Sequence, residues 1–380
     1  MFQNRNIRVL FAISFLQGLV FYAAVATLYR RAAGLDMFQI AAIERVSLLL
    51  SLALEVPWGI AAERIGYRKT MILCSFLLLL SKVIFWRAES FGGFLAERVV
   101  LAVACAGTSG VDESILVSSC PKNETHRAFG WYSAFGTAGL ISASAVYSLF
   151  IGENFRLAAL LTVFSHALAA VLTLLLTKTN EPEQENRQTA ICAGRVLLRL
   201  VRTKRLLMFV ISSALFAECV QIITVFLNQL QYERCGWSAS WMGIAYIAAS
   251  AVMLFSAASA GCARRMGERR MGITLMGTGA AICAALAATS SGAVSFVCLM
   301  ALGLCGSLMM PLSSEIINRM IADENRATAL SMTALFTNST AIVLELFAGR
   351  VTDFSLPAAL MVCGMLCAAA MCLFAFAPKS

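Results

Sequence analysis

Apolar runs of about 20 residues, the length needed to cross a bilayer, follow one another along this chain with almost no polar territory between them. Twelve such runs can be drawn: 7–29, 37–59, 70–87, 91–119, 128–150, 155–177, 205–230, 237–262, 271–289, 292–318, 327–349 and 356–377. No soluble core has use for that much apolar surface. Hydrophobic residues make up 59% of the chain and charged ones 13%, against about 45–50% and about 25% in soluble domains. The expectation is an all-α membrane protein whose apolar side chains face lipid. The first run, Ile7 to Tyr29, exceeds the roughly 7–15 apolar residues of a secretory signal, so it reads as a spanning helix.

The net charge of +9 is a topology signal rather than a nucleic-acid footprint. With the N-terminus inside, six of the 30 Lys and Arg residues fall outside: Arg30, Arg31, Arg87, Arg156, Arg234 and Arg350. Twenty-one fall inside, and Arg45, Lys82 and Arg98 remain within spans. Both termini are therefore expected in the cytoplasm, and the protein in the cell (inner) membrane. The 13 cysteines lie mostly in apolar runs, with no Cys-x-x-Cys and only two histidines, so neither a disulfide framework nor a metal site is expected. No nucleotide-binding Gly-x-x-x-x-Gly-Lys-Ser/Thr is present, and no cofactor is expected.

An internal repeat organises the spans. Gly59-Ile-Ala-Ala-Glu63-Arg64-Ile-Gly66-Tyr-Arg68-Lys69 is echoed by Ala260-Gly-Cys-Ala-Arg264-Arg265-Met-Gly267-Glu-Arg269-Arg270, each matched position 201 residues later. A second echo pairs Glu113 and Arg127 with Glu315 and Arg326, at offsets of 202 and 199. Six spans followed by six more in the same orientation imply a parallel repeat, two six-helix bundles related by a pseudo-two-fold axis along the membrane normal. The expected boundaries are 1–177 and 205–380, joined by a cytoplasmic linker over 178–204. Its basic stretch, with Val196, Leu197, Leu200 and Val201 at helical spacing, suits either an inner-leaflet surface helix or a plain tether.

The Gly59–Lys69 segment resembles the signature loop of the major facilitator superfamily, Gly-x-x-x-Asp-Arg-x-Gly-x-Arg-Lys, with Glu63 in place of Asp. The degenerate second copy and the six-plus-six pattern extend the likeness over essentially the whole chain. Glu55-x-Pro57-x-Gly59 looks like bacterial drug/proton antiporter members. Arg98 with Gly107 loosely resembles the Arg and Gly-rich stretch of proton-coupled members. Gly130, Gly136 and Gly139 recur where exporters carry a glycine motif, without its proline. The resemblance implies a secondary transporter working by alternating access, as a monomer, on a small lipophilic or cationic molecule, with proton-coupled efflux. Import or exchange of a polar metabolite is the alternative, and a non-transporting membrane sensor or enzyme the alternative of another class.

Candidate residues follow from depth. An ionisable group within a span costs about 2.5–3.5 kcal/mol and is a functional candidate. Glu218 lies near mid-span, with Gln17, Gln221 and Asn338 at similar depth. Spans 1 and 7 line the central cavity in the resembled family, so these four form the expected substrate and proton region, with Arg98 assisting proton transfer. A protonated Glu218 is much cheaper to bury than a charged one. Glu44, Arg45, Glu97 and Arg98 can pair between neighbouring spans, Lys82 can snorkel to the surface, and His166 reads as packed. The signature loop implies a cytoplasmic gate. Gly59 and Gly66 would permit tight turning, and Glu63, Arg64, Arg68 and Lys69 would form a latch with Asp112 and Glu113. Arg265, Arg269 and Glu315 would echo it in the second half.

Overall fold

The computed structural model describes residues 4–120, 125–177, 204–253, 255–256, 259–320 and 326–376. The expected linker, 178–204, lies outside them but for its last residue. Every regular element among the described residues is helical. They are α1 (Arg5–Ala32), α2 (Met37–Ile65), α3 (Tyr67–Arg87), α4 (Phe91–Ser119), α5 (Arg127–Ile151), α6 (Phe155–Thr173), α7 (Leu207–Arg234), α8 (Ala239–Met253), α9 (Glu268–Ala288), α10 (Gly292–Met320), α11 (Arg326–Phe354) and α12 (Leu356–Phe376). Ten of the described helices are long and apolar enough to cross a membrane. The other two sit where the eighth and eleventh spans were expected. Helix α8 is a shorter apolar helix, with a separate short helix, Ser259–Met266, after it. Helix α11 is 29 residues long but carries Asn338, Ser339, Thr340 and Glu345. Large apolar side chains such as Leu149, Phe150, Phe164 and Val297 point outward, as lipid contact requires.

The chain forms two compact units, Met1–Gln184 with Ser238–Ile247, and Glu185–Trp237 with Ala248–Ser380. In the first, α1 packs on α5 and α6, α3 on α4 and α6, and α2 on α4. In the second, α12 packs on α9 and α7, α9 on α10, and α11 on both α7 and α12. The same turn device recurs in each. Gly66, at φ 92°, ends α2 and starts α3, and Gly267, at φ 81°, starts α9. A side chain is strained in that left-handed region, which explains why both copies of the repeat keep glycine there. Gly59 plays no such part. It lies within α2 with open space beside it, so the tight turn expected there is absent.

A close approach of backbones occurs at the α1–α5 crossing. A Cβ on Gly139 would stand 2.1 Å from the Phe15 carbonyl oxygen, and one on Gly18 would stand 2.2 Å from that of Gly136. Ser14 Oγ donates to the Tyr132 carbonyl at 2.8 Å in the same seam. The glycines of the α5 motif thus let two backbones touch, as small residues do in membrane interfaces. Gly107 makes room for the side chains of Cys74 and Trp58, which pack against it between helices. In the second unit, four buried thiols gather where α7, α9 and α12 meet: Cys219, Cys283, Cys363 and Cys367. Sequence spacing did not disclose that gathering. No His/Cys/Asp/Glu group among the described residues could hold a metal.

Candidate functional site

Helix α1 is discontinuous at mid-span. Its first piece ends at Gly18, a short tight turn covers Ala23–Val25, and the second piece runs Ala26–Ala32. The unwound backbone is satisfied by α6: Phe21 N–H donates to Thr162 Oγ1 at 3.0 Å, and Ser165 Oγ donates to the Leu19 carbonyl at 3.0 Å. Irregular backbone at this depth is tolerated only where protein or a cavity surrounds it. Gln17 occupies the last turn before the break and is half-buried. His166, buried, places Nδ1 2.9 Å from the Thr162 carbonyl, which fits the packed role expected of it.

Helix α7 also departs from α geometry, widening to a π-helical turn over Ile222–Leu227. Such turns are rare and gather at functional sites. Glu218, only 8% exposed, lies one turn before it, and Gln221 immediately precedes it with its side chain exposed. Asn338 is half-buried on α11, a helix packed against α7. The second unit therefore brings together the helices that carry Glu218, Gln221 and Asn338, while Gln17 belongs to the first.

The densest charge lies inside the first unit. Arg30 Nη1 and Arg98 Nη2 both donate to Glu44 Oε1, at 2.7 and 2.6 Å. Glu97 Oε2 stands 3.4 Å from Arg98 Nε and 3.9 Å from Arg30 Nη2. The Arg30 guanidinium sits over the rings of Phe85 and Phe94, 5.7 and 5.9 Å from their centroids. Arg98 and its expected partner Glu44 are thus joined as the sequence suggested. Arg30, expected in an outside loop, is instead 1% exposed within α1. Lys82 also departs from expectation. It is 7% exposed and donates to the Tyr22 hydroxyl at 3.2 Å, instead of reaching for the surface. Near the corresponding end of α7 the second unit uses a neutral group. There Gln231 donates to the Leu286 and Thr289 carbonyls and to Ser295 Oγ, each within 3.2 Å.

The expected gate residues are arranged differently from a charge latch within the unit. Among the described residues no ion pair links Arg64, Arg68 or Lys69 to Asp112 or Glu113. Arg68 turns to the end of α6, donating to the Leu176 and Leu174 carbonyls at 2.5 and 3.1 Å. Arg269, its counterpart in the repeat, donates to the Ala375 carbonyl at the end of α12. A planar fork with several donors suits the open carbonyls of a helix C-terminus, and a cation there also meets the negative end of the helix dipole. Asp112 lies in the first turn of a new helical piece, because α4 breaks at Gly110 with φ 77°, and its Oδ2 accepts from the Tyr132 hydroxyl at 2.9 Å. Glu63, Arg64, Lys69, Glu113, Arg265 and Glu315 are exposed. Arg68→Glu should cost about 1–2 kcal/mol through the two lost donors, with a further fraction from the reversed dipole contact. Arg269→Glu should behave alike, and the effects should add because the two sites share no partner. Thermal unfolding of the single and double variants checks this. Unchanged unfolding with transport abolished would restore the acidic-latch reading.

A pocket of 390 Å³ opens beside α1 in the first unit, lined by Arg8, Phe11, Ala12, Phe15 and Phe135. Residues 8, 11, 12 and 15 follow helical spacing and so share one face of α1. Phe11 and Phe135 stack at 5.2 Å.

Comparison with known proteins gives a consistent result. The sequence profile described as Major Facilitator Superfamily matches residues 9–343. No curated protein sequence matches the chain. Among solved structures, the nucleoside transporter NupG is similar with a TM-score of 0.81 at 18% identity, covering 98% of this chain and 100% of that one. A bacterial homologue of the human lysosomal transporter Spinster, inward-facing and occupied, gives a TM-score of 0.76 at 16% identity, covering 98% and 96%. A POT family transporter in complex with 5-aminolevulinic acid gives 0.72 at 15%, covering 97% and 95%.

Proposed function

Because this chain belongs to the major facilitator superfamily, a family of transporters and not of enzymes, we propose that it moves a small, largely apolar molecule by alternating access, driven by protons. The observation that carries the coupling is Glu218, a carboxylate buried in a membrane-spanning helix one turn before a π-helical turn. Burying it charged is costly and burying it protonated is cheap. Two conformations that solvate it differently would bind the proton with different affinity, so proton binding biases the equilibrium between them. The 390 Å³ pocket with three phenylalanines supports an apolar substrate. Efflux by antiport rests on the Glu55-x-Pro57-x-Gly59 resemblance. The charge bias of the loops supports cytoplasmic termini in a cell membrane.

A second reading, import or exchange of a polar metabolite, is favoured by the amides Gln17, Gln221 and Asn338. The nucleoside and 5-aminolevulinic acid named for two similar structures belong to those proteins, and likeness at 15–18% identity carries the fold alone.

The test is transport in proteoliposomes with and without an imposed pH gradient. Glu218→Gln, which imitates the permanently protonated form, should lose the response to the gradient while exchange without a gradient survives. A Glu218→Gln protein that follows the gradient as the parent does removes Glu218 from the coupling role and leaves Arg98 as the next candidate.

A further inference from the structure

Lys82 is a buried cation that coupling through Glu218 does not use. It is 7% exposed within α3, and its one hydrogen bond among the described residues runs from Nζ to the Tyr22 hydroxyl at 3.2 Å. No carboxylate among the described residues stands within ion-pair distance of it. An ionisable group inside a span is costly, and an unmatched one is a functional candidate.

The surroundings of Lys82 leave no carboxylate to spare. Glu44 of α2 accepts from Arg30 and Arg98, and Glu97 of α4 stands beside the same two guanidinium groups. Arg45 adds a further cation next to Glu44. The other groups near Lys82 are Tyr22 of α1, Cys105 of α4 and His166 of α6, none of them a carboxylate. Lys82, Glu97 and Arg98 all act electrostatically on Cys105, so they belong to one cluster. That cluster holds more cations than its carboxylates match. Arginine keeps its charge in any protein surroundings, whereas a buried lysine can release its proton. Lys82 is therefore the member able to remove the excess, and a neutral amine is cheaper to bury than an ammonium. Tyr22 suits both forms. Its oxygen accepts from the ammonium, and its O–H can donate to the lone pair of the amine. Tyr22 also directly precedes the tight turn of α1, so this bond ties Lys82 to the discontinuity in that helix.

We propose that Lys82 carries a proton in the working cycle, as ammonium in one conformation and as neutral amine in the other, with Tyr22 as its positioning residue. The released proton passes to a water molecule, and the Tyr22 O–H turns to donate to Nζ; protonation reverses both. This rests on the proton-driven reading and adds to it a carrier in the first unit, apart from Glu218 in the second. Proton binding at such a group favours the conformation that solvates it better. The test needs no substrate. The purified full-length protein, in lipid nanodiscs, carries spin-labelled unnatural side chains in the α3–α4 and α9–α10 turns, and the distance between them is followed against pH. The parent's distribution should shift between an acid and an alkaline form. Lys82→Arg, always charged, should be displaced toward the acid form, and Lys82→Met, never charged, toward the alkaline form. A merely structural lysine would not split the two variants in opposite directions. Unfolding temperature verifies that both fold. Tyr22→Phe removes only the hydroxyl and should move the pH midpoint of the shift; an unmoved midpoint counts against the inference even where a Lys82 variant fails to fold. Two Lys82 variants that follow pH as the parent does, or that are displaced alike, overturn the Lys82 inference and leave Glu218 as the carrier. A parent indifferent to pH overturns the proton-driven reading as well.

Discussion

Arg30→Ala should destabilise the folded protein by about 3–5 kcal/mol, because removing one partner of a buried ion pair leaves the other charge uncompensated. Two carboxylates are affected. Glu44 Oε1 loses one of its two guanidinium donors, and Glu97 loses one of the two cations beside it. Arg98 still reaches Glu44, which places the loss at the lower end of that range. The rings of Phe85 and Phe94 also lose the guanidinium above them. Arg30→Lys should recover only part of the loss, since a point charge cannot bridge Glu44 and lie flat against two rings. Combining Arg30→Met with Glu44→Gln should cost less than the sum of the singles, as expected of residues in contact. Thermal unfolding of the four proteins in one detergent decides it. Additive effects would mean that Arg30 and Glu44 are not energetically coupled, whatever their distance.

Arg30 also shows where the sequence stopped being informative. The apolar runs, the Gly66 and Gly267 turns and the pairing of Glu44 with Arg98 were legible, because each depends on local pattern or on a neighbour that the repeat implies. Whether Arg30 faces water or the interior depends on whether α2 and α4 offer carboxylates at its height, and no one-dimensional pattern records height. The burial of Lys82 is hidden for the same reason, since its partner Tyr22 is supplied by α1. The breaks in α1 and α7 were hidden because nothing in Leu19-Val-Phe-Tyr22 or Ile222–Leu227 signals interruption. Both segments are apolar and lack proline, and the departure of α1 from α geometry becomes tolerable through the tertiary partners Thr162 and Ser165. Charge pattern alone pairs Arg68 with acids, whereas the end of α6 offers bare carbonyls within its reach.

The glycines of α5 give the second large expectation. Gly139→Ala should lower stability by about 3 kcal/mol or more, the upper end of overpacking costs, and should abolish transport. The added methyl would stand 2.1 Å from the Phe15 carbonyl oxygen and 3.2 Å from the Gly18 carbonyl carbon. These are backbone atoms, so no side chain can turn aside, and α1 must move away from α5. Small residues matter at such a crossing because in lipid, helix association rests on van der Waals contact rather than on a hydrophobic force. A displaced α1 would lose the Ser14–Tyr132 hydrogen bond and pull Phe11 and Phe15 away from Phe135, opening the pocket on which substrate binding is proposed to depend. Gly130→Ala supplies the control. It lies on the same helix, exposed, with nothing within 4 Å of the added carbon, so it should be neutral or stabilising by about 0.5–1 kcal/mol through the lower backbone entropy of alanine. Membrane yield, unfolding temperature and substrate binding, measured on both variants, separate a packing requirement from a general intolerance of α5. If Gly139→Ala unfolds at the parent's temperature and binds as the parent does, the α1–α5 contact is not as close in the membrane as the structure has it.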